Sequence, residues 1–497
     1  MHASANFLAI DLGASSGRIF LGRWNGERIT LEEIHRFPNG PVEIRGHLHW
    51  DVLRLWTEIK AGISSYVHQY KTPIESIGVD TWGVDFALLD LRGNLLGNPY
   101  HYRDARTEGA MELAFERMPR RQIFKHTGNQ FLQINTLFQL LSLSQNKDPQ
   151  LEIAATMLMM PDLFHYWLTG QKVSEFTIAT TSQMYDIRQK CWAKEVLNEL
   201  EIPSRFLPPV VPPGTLLGQL HRAMMAEAGL RQPAKVVTPA SHDTSSAIAA
   251  IPDLDSRSIY ISSGTWSLVG VEISEAIIND QVLALNFTNE GGINNKINLQ
   301  KILTGLWLLQ ESQRQWQRKG MDYSWKELLE LSEQAEPFSS LVDPDAPIFL
   351  NPEDMLKAIQ SFCHQTGQPQ PDSVGAIVRC CLESIALNYR TVLEDLETLL
   401  GNTVDSIRIV GGGSQNDLLS QFTADACQRR VVVGPAEATA IGNLLLQVIA
   451  TGHLPDILTG RAVVAASFEQ KEFEPGRADM WEEAYARFKK LKGHKGR

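Results

Sequence analysis

Two segments half a chain apart repeat one design, and that repetition constrains the fold more than any other feature of the 497 residues. The first is "FLAIDLGASSGRIFLGRW", Phe7 to Trp24. Its apolar run Phe7-Leu8-Ala9-Ile10 reads as a buried strand, small residues make a turn, and Arg18 to Trp24 is rich in β-formers. The second is "SIYISSGTWSLVGVEI", Ser258 to Ile273, again strand, hydroxyl-rich turn, strand. A hairpin opening each half of a chain long enough for two or three cores predicts a duplicated domain, with one turn from each copy facing a common cleft.

Between the hairpins, strand-like runs alternate with longer helical patterns, the signature of an α/β fold. Ile74 to Leu89 holds two short strands, and Lys235 to Pro239 another, followed by the polar cluster Ser241-His242-Asp243-Thr244. Val374, Ile377, Val378, Cys381, Leu382, Ile385, Tyr389, Val392 and Leu396 recur at helical spacing between Asp372-Ser373 as cap and Gly401 as stop, which predicts a core helix over Ser373 to Leu400. The Pro-rich "FLPPVVPPGTLLG", Phe206 to Gly218, predicts a loop. "IVGGGSQNDLL", Ile409 to Leu419, predicts a strand leading through glycines into a helix, either a tight turn or a backbone that passes close under a flat ligand such as adenine.

Gly13 to Gly17 fits the G-x-S-x-G pattern of a hydrolase, but a nucleophile elbow needs strand-turn-helix, and the sequence here continues into a strand. What remains is two hydroxyls with an acid, Asp11, and a base, Arg18: a plain hairpin turn, or backbone N–H groups and a cation wrapped around phosphate. The net charge of −11, from 46 Lys and Arg against 57 Asp and Glu, argues against a general nucleic-acid binder. No apolar run approaches the ~20 residues of a membrane span, and the start lacks a basic signal region, so a cytoplasmic enzyme is expected. Five cysteines without C-x-x-C make neither a zinc pattern nor a disulfide framework. No P-loop and no protein-kinase signature is found.

The ordered blocks Asp11-Leu12-Gly13-x-Ser15-Ser16-Gly17-Arg18, "DTWGVDFALLD" (Asp80 to Asp90), "YRDARTEG" (Tyr102 to Gly109), "MPDLFHYWLTG" (Met160 to Gly170), "ASHDTSSA" (Ala240 to Ala247), "SSGTWSLVG" (Ser262 to Gly270), "TNEGG" (Thr288 to Gly292), "GLWLLQ" (Gly305 to Gln310), "GGGSQNDLL" and "GPAEATAIGN" (Gly434 to Asn443) cover nearly the whole chain. Together they resemble the FGGY carbohydrate kinases of the sugar kinase, Hsp70 and actin superfamily, and within them most the branch acting on L-rhamnulose. The resemblance implies two actin-like, ribonuclease H-like ATPase domains facing a central cleft, an N-terminal one over 1–253 and a C-terminal one over 254–497. It also implies transfer of the γ-phosphoryl group of ATP to the 1-hydroxyl of a ketose, with sugar and ATP as small-molecule partners and neither nucleic acid nor membrane among them.

Residue by residue, the resemblance makes Asp243 the proton acceptor, where the bare sequence allows a helix N-cap as well. Gly83, His242, Thr244 and Ile302 stand at sugar-contacting positions; Trp82 and Asp80 would suit a polyol, although a Trp there also reads as core. Ala14, Ser15, Ser16, Gly17 and Arg18 match the first phosphate loop, Thr265 the second, and Gln310 and Gly412 the remaining ATP contacts. Asp11 is the candidate for holding Mg²⁺, through water, because magnesium keeps most of its hydration shell. Cys363 and Cys380 match positions proposed as a disulfide, against the default of free thiols in a reducing compartment. Two departures stand out. The branch usually carries Asn in a K-N-I-M-G block where this chain reads Lys301-Ile302-Leu303-Thr304-Gly305, and the broader family's Lys and Trp pattern is replaced by Gln133-Ile134-Asn135-Thr136-Leu137.

Overall fold

The first hairpin forms as its residue pattern requires: strands Ala5–Leu12 and Ser16–Trp24 pair antiparallel, with Phe7, Leu8, Ala9 and Ile10 all buried. This computed structural model describes residues 4–476 and 478–492. The chain makes two compact units, one of Met1–Asp253, Glu272–Gln300 and Glu437–Glu469, the other of Leu254–Val271, Lys301–Ala436 and Gln470–Arg497.

In the first unit a six-stranded sheet runs in the order Thr215–Gln219, Lys235–Thr238, Ser76–Thr81, Ala5–Leu12, Ser16–Trp24, Ile29–Pro38. Its middle strands are parallel and its flanking pairs antiparallel. The helix Ala438–Ala450, drawn from the last quarter of the chain, packs here against the strands Ala5–Leu12 and Ser76–Thr81 and the helix Asp243–Ala249. Gln447 on that helix donates to the Leu8 carbonyl at 3.0 Å and accepts from the Ser76 hydroxyl at 2.7 Å, so the buried amide has partners on both sides.

In the second unit the strands follow the same plan: Ile297–Thr304, which the chain enters from the first unit, then Trp266–Ile273, Ser258–Ser263, Ser406–Val410, Arg430–Val433 and Lys471–Phe473. An antiparallel hairpin lies beside two successive parallel partners and an antiparallel edge, as in the first unit. The internal echo in the sequence is thus a repeat of sheet order. The long helix spans Val374–Leu400, with the Ser373 side chain accepting from Ala376 N and Gly401 ending it at φ +70, a left-handed conformation that costs glycine nothing. Its Tyr389 hydroxyl meets Ser267 Oγ at 2.6 Å.

The Pro-rich connector departs from expectation. Val210–Val211 pairs with Ser174–Glu175, and Thr215–Gln219 becomes the edge strand of the first sheet. The prolines flank these strands, and an edge strand with a bulge between Leu216 and Gly218 tolerates missing donors nearby. Cys363 and Cys380 are buried free thiols. No helix among the described residues is long and apolar enough to cross a membrane.

Candidate functional site

Three carboxylates gather in the first unit because three neighbouring parallel segments end together. Asp11 and Asp80 are direct register partners on adjacent strands, so both project from one face. Beyond the second strand, Thr81 bridges to His242 and its N–H donates to the Ser241 carbonyl at 2.9 Å, which brings the start of the Asp243–Ala249 helix alongside. His242 is the N-cap and Asp243 the first helical residue, so Asp243 is not the cap. Burial raises the Asp243 carboxyl above the ordinary range against the pull of His242. Burial also raises Asp80 well above it, reinforced by Asp11 and opposed by Asn443.

Asp243 Oδ1 accepts from Thr244 N at 2.6 Å, while the side chain keeps 31% of its surface open to an incoming hydroxyl. Thr244 itself is buried, its hydroxyl 3.4 Å from the same oxygen. Asp11 is almost wholly buried, and burial raises it too, partly offset by Arg18. Arg18 lies directly across the hairpin and donates to Asp11 Oδ2 at 2.5 Å; its other arm reaches Glu437. Glu437 is 419 residues away in sequence, and no local signal marks it as Arg18's partner. Asn443, one helical turn and a half further on, donates to Asp80 Oδ2 at 2.5 Å.

The turn between the first two strands is tied back by its carbonyls. Gly13 N donates to Ser16 O at 3.0 Å, while Asn39 donates from its backbone to Ser15 O and from its side chain to Gly13 O. Ser15 is exposed and Ala14 and Ser16 half-buried, whereas a side chain at Gly17 would strike the Phe37 ring at 2.3 Å. The strand that follows removes the helix a nucleophile elbow needs.

Gly83 sits in a turn clamped from several sides. Asp85 N donates to Gly83 O, and Val84 N to Thr181 Oγ1 at 3.1 Å. Val84 carries φ +65, an outlier for a β-branched residue. Trp82 is packed at 4.0 Å between ring centres on Trp50, and both indoles donate to Asp85 Oδ2. The Trp82 indole is therefore built into the core, the alternative the bare sequence allows.

In the second unit Thr265 and Gln310 come together, Thr265 Oγ1 donating to Gln310 Oε1 at 2.9 Å. Thr265 O also receives Gly305 N and Trp307 N, which fixes the second hydroxyl turn on the start of the Trp307–Arg318 helix. Gly411 and Gly413 pack so tightly on Ser263 that a side chain on either would fall within 2.8 Å of it, while Gly412 is exposed with open space where a Cβ would point. Ile302 lies half-buried in the Ile297–Thr304 strand.

Comparison with known proteins identifies this arrangement. Residues 6–249 match the N-terminal domain of the FGGY family of carbohydrate kinases, and 259–451 match its C-terminal domain. The rhamnulokinase of Bacteroides thetaiotaomicron is 44% identical over 484 residues, 97% of this chain and 99% of that protein. The rhamnulokinase of Bacillus subtilis is 38% identical over 475 residues, 94% and 95% of the two chains. Two solved structures share the fold: a xylulose kinase from Lactobacillus acidophilus (TM-score 0.79, 17% identity, 98% and 97% covered) and a glycerol kinase from Plasmodium falciparum with ADP (TM-score 0.76, 16% identity, 99% and 98% covered). With both domains matched in order and relatives near 40% identity over almost the full length, the chain belongs to the FGGY family of carbohydrate kinases.

Proposed function

We propose that this FGGY kinase transfers the γ-phosphoryl group of ATP to the 1-hydroxyl of L-rhamnulose, in the cytoplasm, with the two duplicated halves running 1–253 and 254–497. The observation that carries the reading is Asp243: a carboxylate half-open at a helix start, flanked by His242 and Thr244, in a chain whose relatives are rhamnulokinases. Phosphoryl transfer asks of a protein little covalent chemistry, but it needs positioning, neutralisation of charge and a proton acceptor.

Asp243 accepts the hydroxyl proton as the oxygen attacks. His242, Thr244 and the Gly83 backbone hold the sugar. In the first unit Ala14 to Arg18 offer phosphate N–H groups, hydroxyls and one guanidinium; in the second unit, taken by itself, Thr265 is the phosphate-contacting hydroxyl and Gln310 and Gly412 are the adenosine contacts. Asp11 beside Asp80 suits a hydrated cation: two buried carboxylates in register, one with an orphaned oxygen, Asp80 Oδ1, invite positive charge. Mg²⁺, held through water by Asp11, would supply neutralisation of phosphate charge. Among the described residues no three or more His, Cys, Asp or Glu side chains converge closely enough to hold a metal ion between them.

Asp243→Asn should lower turnover by on the order of 10²-fold or more with ATP binding intact; activity within a few-fold of wild type removes Asp243 from this role. Ile302, where the branch carries Asn, favours a second reading, a kinase for another ketose such as L-fuculose or D-xylulose. One neutral hydrogen bond is worth ~0.5–1.5 kcal/mol, so L-rhamnulose should still be phosphorylated, with a KM raised about ten-fold at most. Ile302→Asn should lower that KM. ADP release measured over a panel of ketoses decides between the two: rapid turnover of another sugar with none of L-rhamnulose refutes the first reading and leaves the kinase.

A further inference from the structure

The cluster around Asp243 contains a buried carboxylate that the reaction as described does not use. Glu290 is the third residue of the strand Thr288–Gly291, which pairs antiparallel with Ile297–Thr304 so that Glu290 faces Asn298. That strand is pinned to its surroundings. Gly291 N donates to Thr180 Oγ1 at 2.8 Å, and its carbonyl accepts from Ser245 Oγ at 3.0 Å, on the helix that Asp243 begins. Glu290 Oε2 accepts from Gln300 Nε2 at 2.9 Å, and Oε1 from Thr288 Oγ1 at 3.3 Å. The carboxylate therefore has little freedom to move.

His242 stands between this carboxylate and the one at Asp243. Its Nδ1 lies 3.4 Å from Glu290 Oε2, and its Nε2 3.5 Å from Asp243 Oδ1. The ring and Glu290 are both buried, and the backbone beneath the ring is fixed as well: Ser241 N donates to Glu175 Oε2 and His242 N to Thr177 Oγ1. We propose that Glu290 is a positioning residue for phosphoryl transfer, acting through His242: it holds the imidazole with one nitrogen toward itself and the other toward Asp243. This rests on the reading of Asp243 as proton acceptor.

A neutral imidazole has one donor and one acceptor, and two carboxylates on opposite edges favour the form with two N–H groups. Desolvation of the buried ring works against that charge, but Glu290, Asp243 and Glu175 outweigh it, and His242 is raised above the ordinary histidine value. These are the ionisable groups facing the ring from the strand of Glu290, from its own helix and from the cap of the Phe176–Thr180 helix; Asp11 and Asp80 act on the neighbouring Asp243 from the adjoining strands. The imidazolium in turn favours ionised Asp243, so loss of the Glu290 charge passes through the ring to the acceptor.

The test is histidine titration by NMR on the full chain carrying ¹⁵N-histidine, with the His242 signals identified by their loss in His242→Gln. In wild type His242 should titrate above the ~6.5 of an unperturbed histidine, and in Glu290→Gln its midpoint should fall by about one unit. The acid limb of kcat/KM for the sugar should shift to higher pH in Glu290→Gln, whereas a purely structural role would lower activity without moving the limb. Glu290→Asp, which keeps the charge, should restore the wild-type limb. A wild-type midpoint below ~6.5, a measurement that requires no Glu290 variant to fold, overturns the inference. So does a midpoint unmoved by Glu290→Gln. Retained activity in Asp243→Asn instead overturns the reading of Asp243 and leaves the titration result intact.

Discussion

Gly442 sits where the Ala438–Ala450 helix crosses the helix that Asp243 begins, and the contact leaves no room for a side chain. A Cβ there would lie 1.8 Å from the Ser246 carbonyl oxygen and 2.6 Å from its carbon, both backbone atoms that no rotamer change can remove. An ordinary carbon–oxygen contact is about 3.3 Å, so Gly442→Ala forces the two helices apart by roughly 1.5 Å. Overpacking of this kind costs about 3 kcal/mol, against which alanine recovers about 1 kcal/mol of helix propensity, so the steric term wins. At roughly 2 °C per kcal/mol for a unit of this size, the melting temperature should fall by about 4 °C. Because the displaced helix carries Asp243, and a shift of about 1 Å at a reacting group can cost on the order of 10²-fold, turnover should fall further than stability suggests. Gly40→Ala is the control, since nothing lies within 4 Å of a Cβ placed there. Differential scanning calorimetry and a coupled ADP-release assay on the three proteins make the comparison. Gly442→Ala with a melting temperature within about a degree of wild type and unchanged turnover would refute the reasoning.

Two further outcomes follow from buried groups. Burial pushes the Glu175 carboxyl up to about 7 from an ordinary 4.5, against the hydrogen bonds it accepts from Thr177, Ser241 and Ile178. The folded chain then binds that proton more tightly than the unfolded one, so the stability present below about 4.5 is lost as pH rises to about 7. Glu175→Gln does not titrate, and its stability relative to wild type should climb across that window by up to about 3 kcal/mol; parallel pH–stability curves would count against the assignment. Cys363 and Cys380 are adjacent free thiols, with the hydrogen bond from Cys380 holding Cys363 below its ordinary value. Thiol titration of the unfolded, unreduced protein should therefore find all five cysteines, and three would mean the pair is oxidised.

What the sequence determined by itself was whatever depends on neighbours along the chain. Both hairpins, the helix from Val374 to Leu400 with its Ser373 cap and Gly401 stop, and the strand-to-helix glycine turn at Gly411 to Gly413 follow from apolar period, turn residues and caps, all of which act within a few residues. The duplicated plan was legible because each copy begins with the same local design. Asp11 and Arg18 were legible as candidates because an acid and a base flank a hydroxyl-rich turn, whereas Asp243, which by residue type and place reads equally as a helix cap, became a candidate acceptor through the family resemblance.

Only the tertiary structure decided which of them meet. Register between two parallel strands sets Asp11 against Asp80, and a helix from the far end of the chain brings Glu437 to Arg18 and Asn443 to Asp80, across separations of 419 and 363 residues. The edge strand Thr215–Gln219 likewise exists only because Lys235–Thr238 presents an open ladder beside a segment whose own composition favours a loop. Pairings of this kind carry no local signature: a carboxylate in a sequence states its charge but not its partner, and burial, which raises Asp11, Asp80 and Asp243 together, is a property of the packed unit rather than of any residue in it.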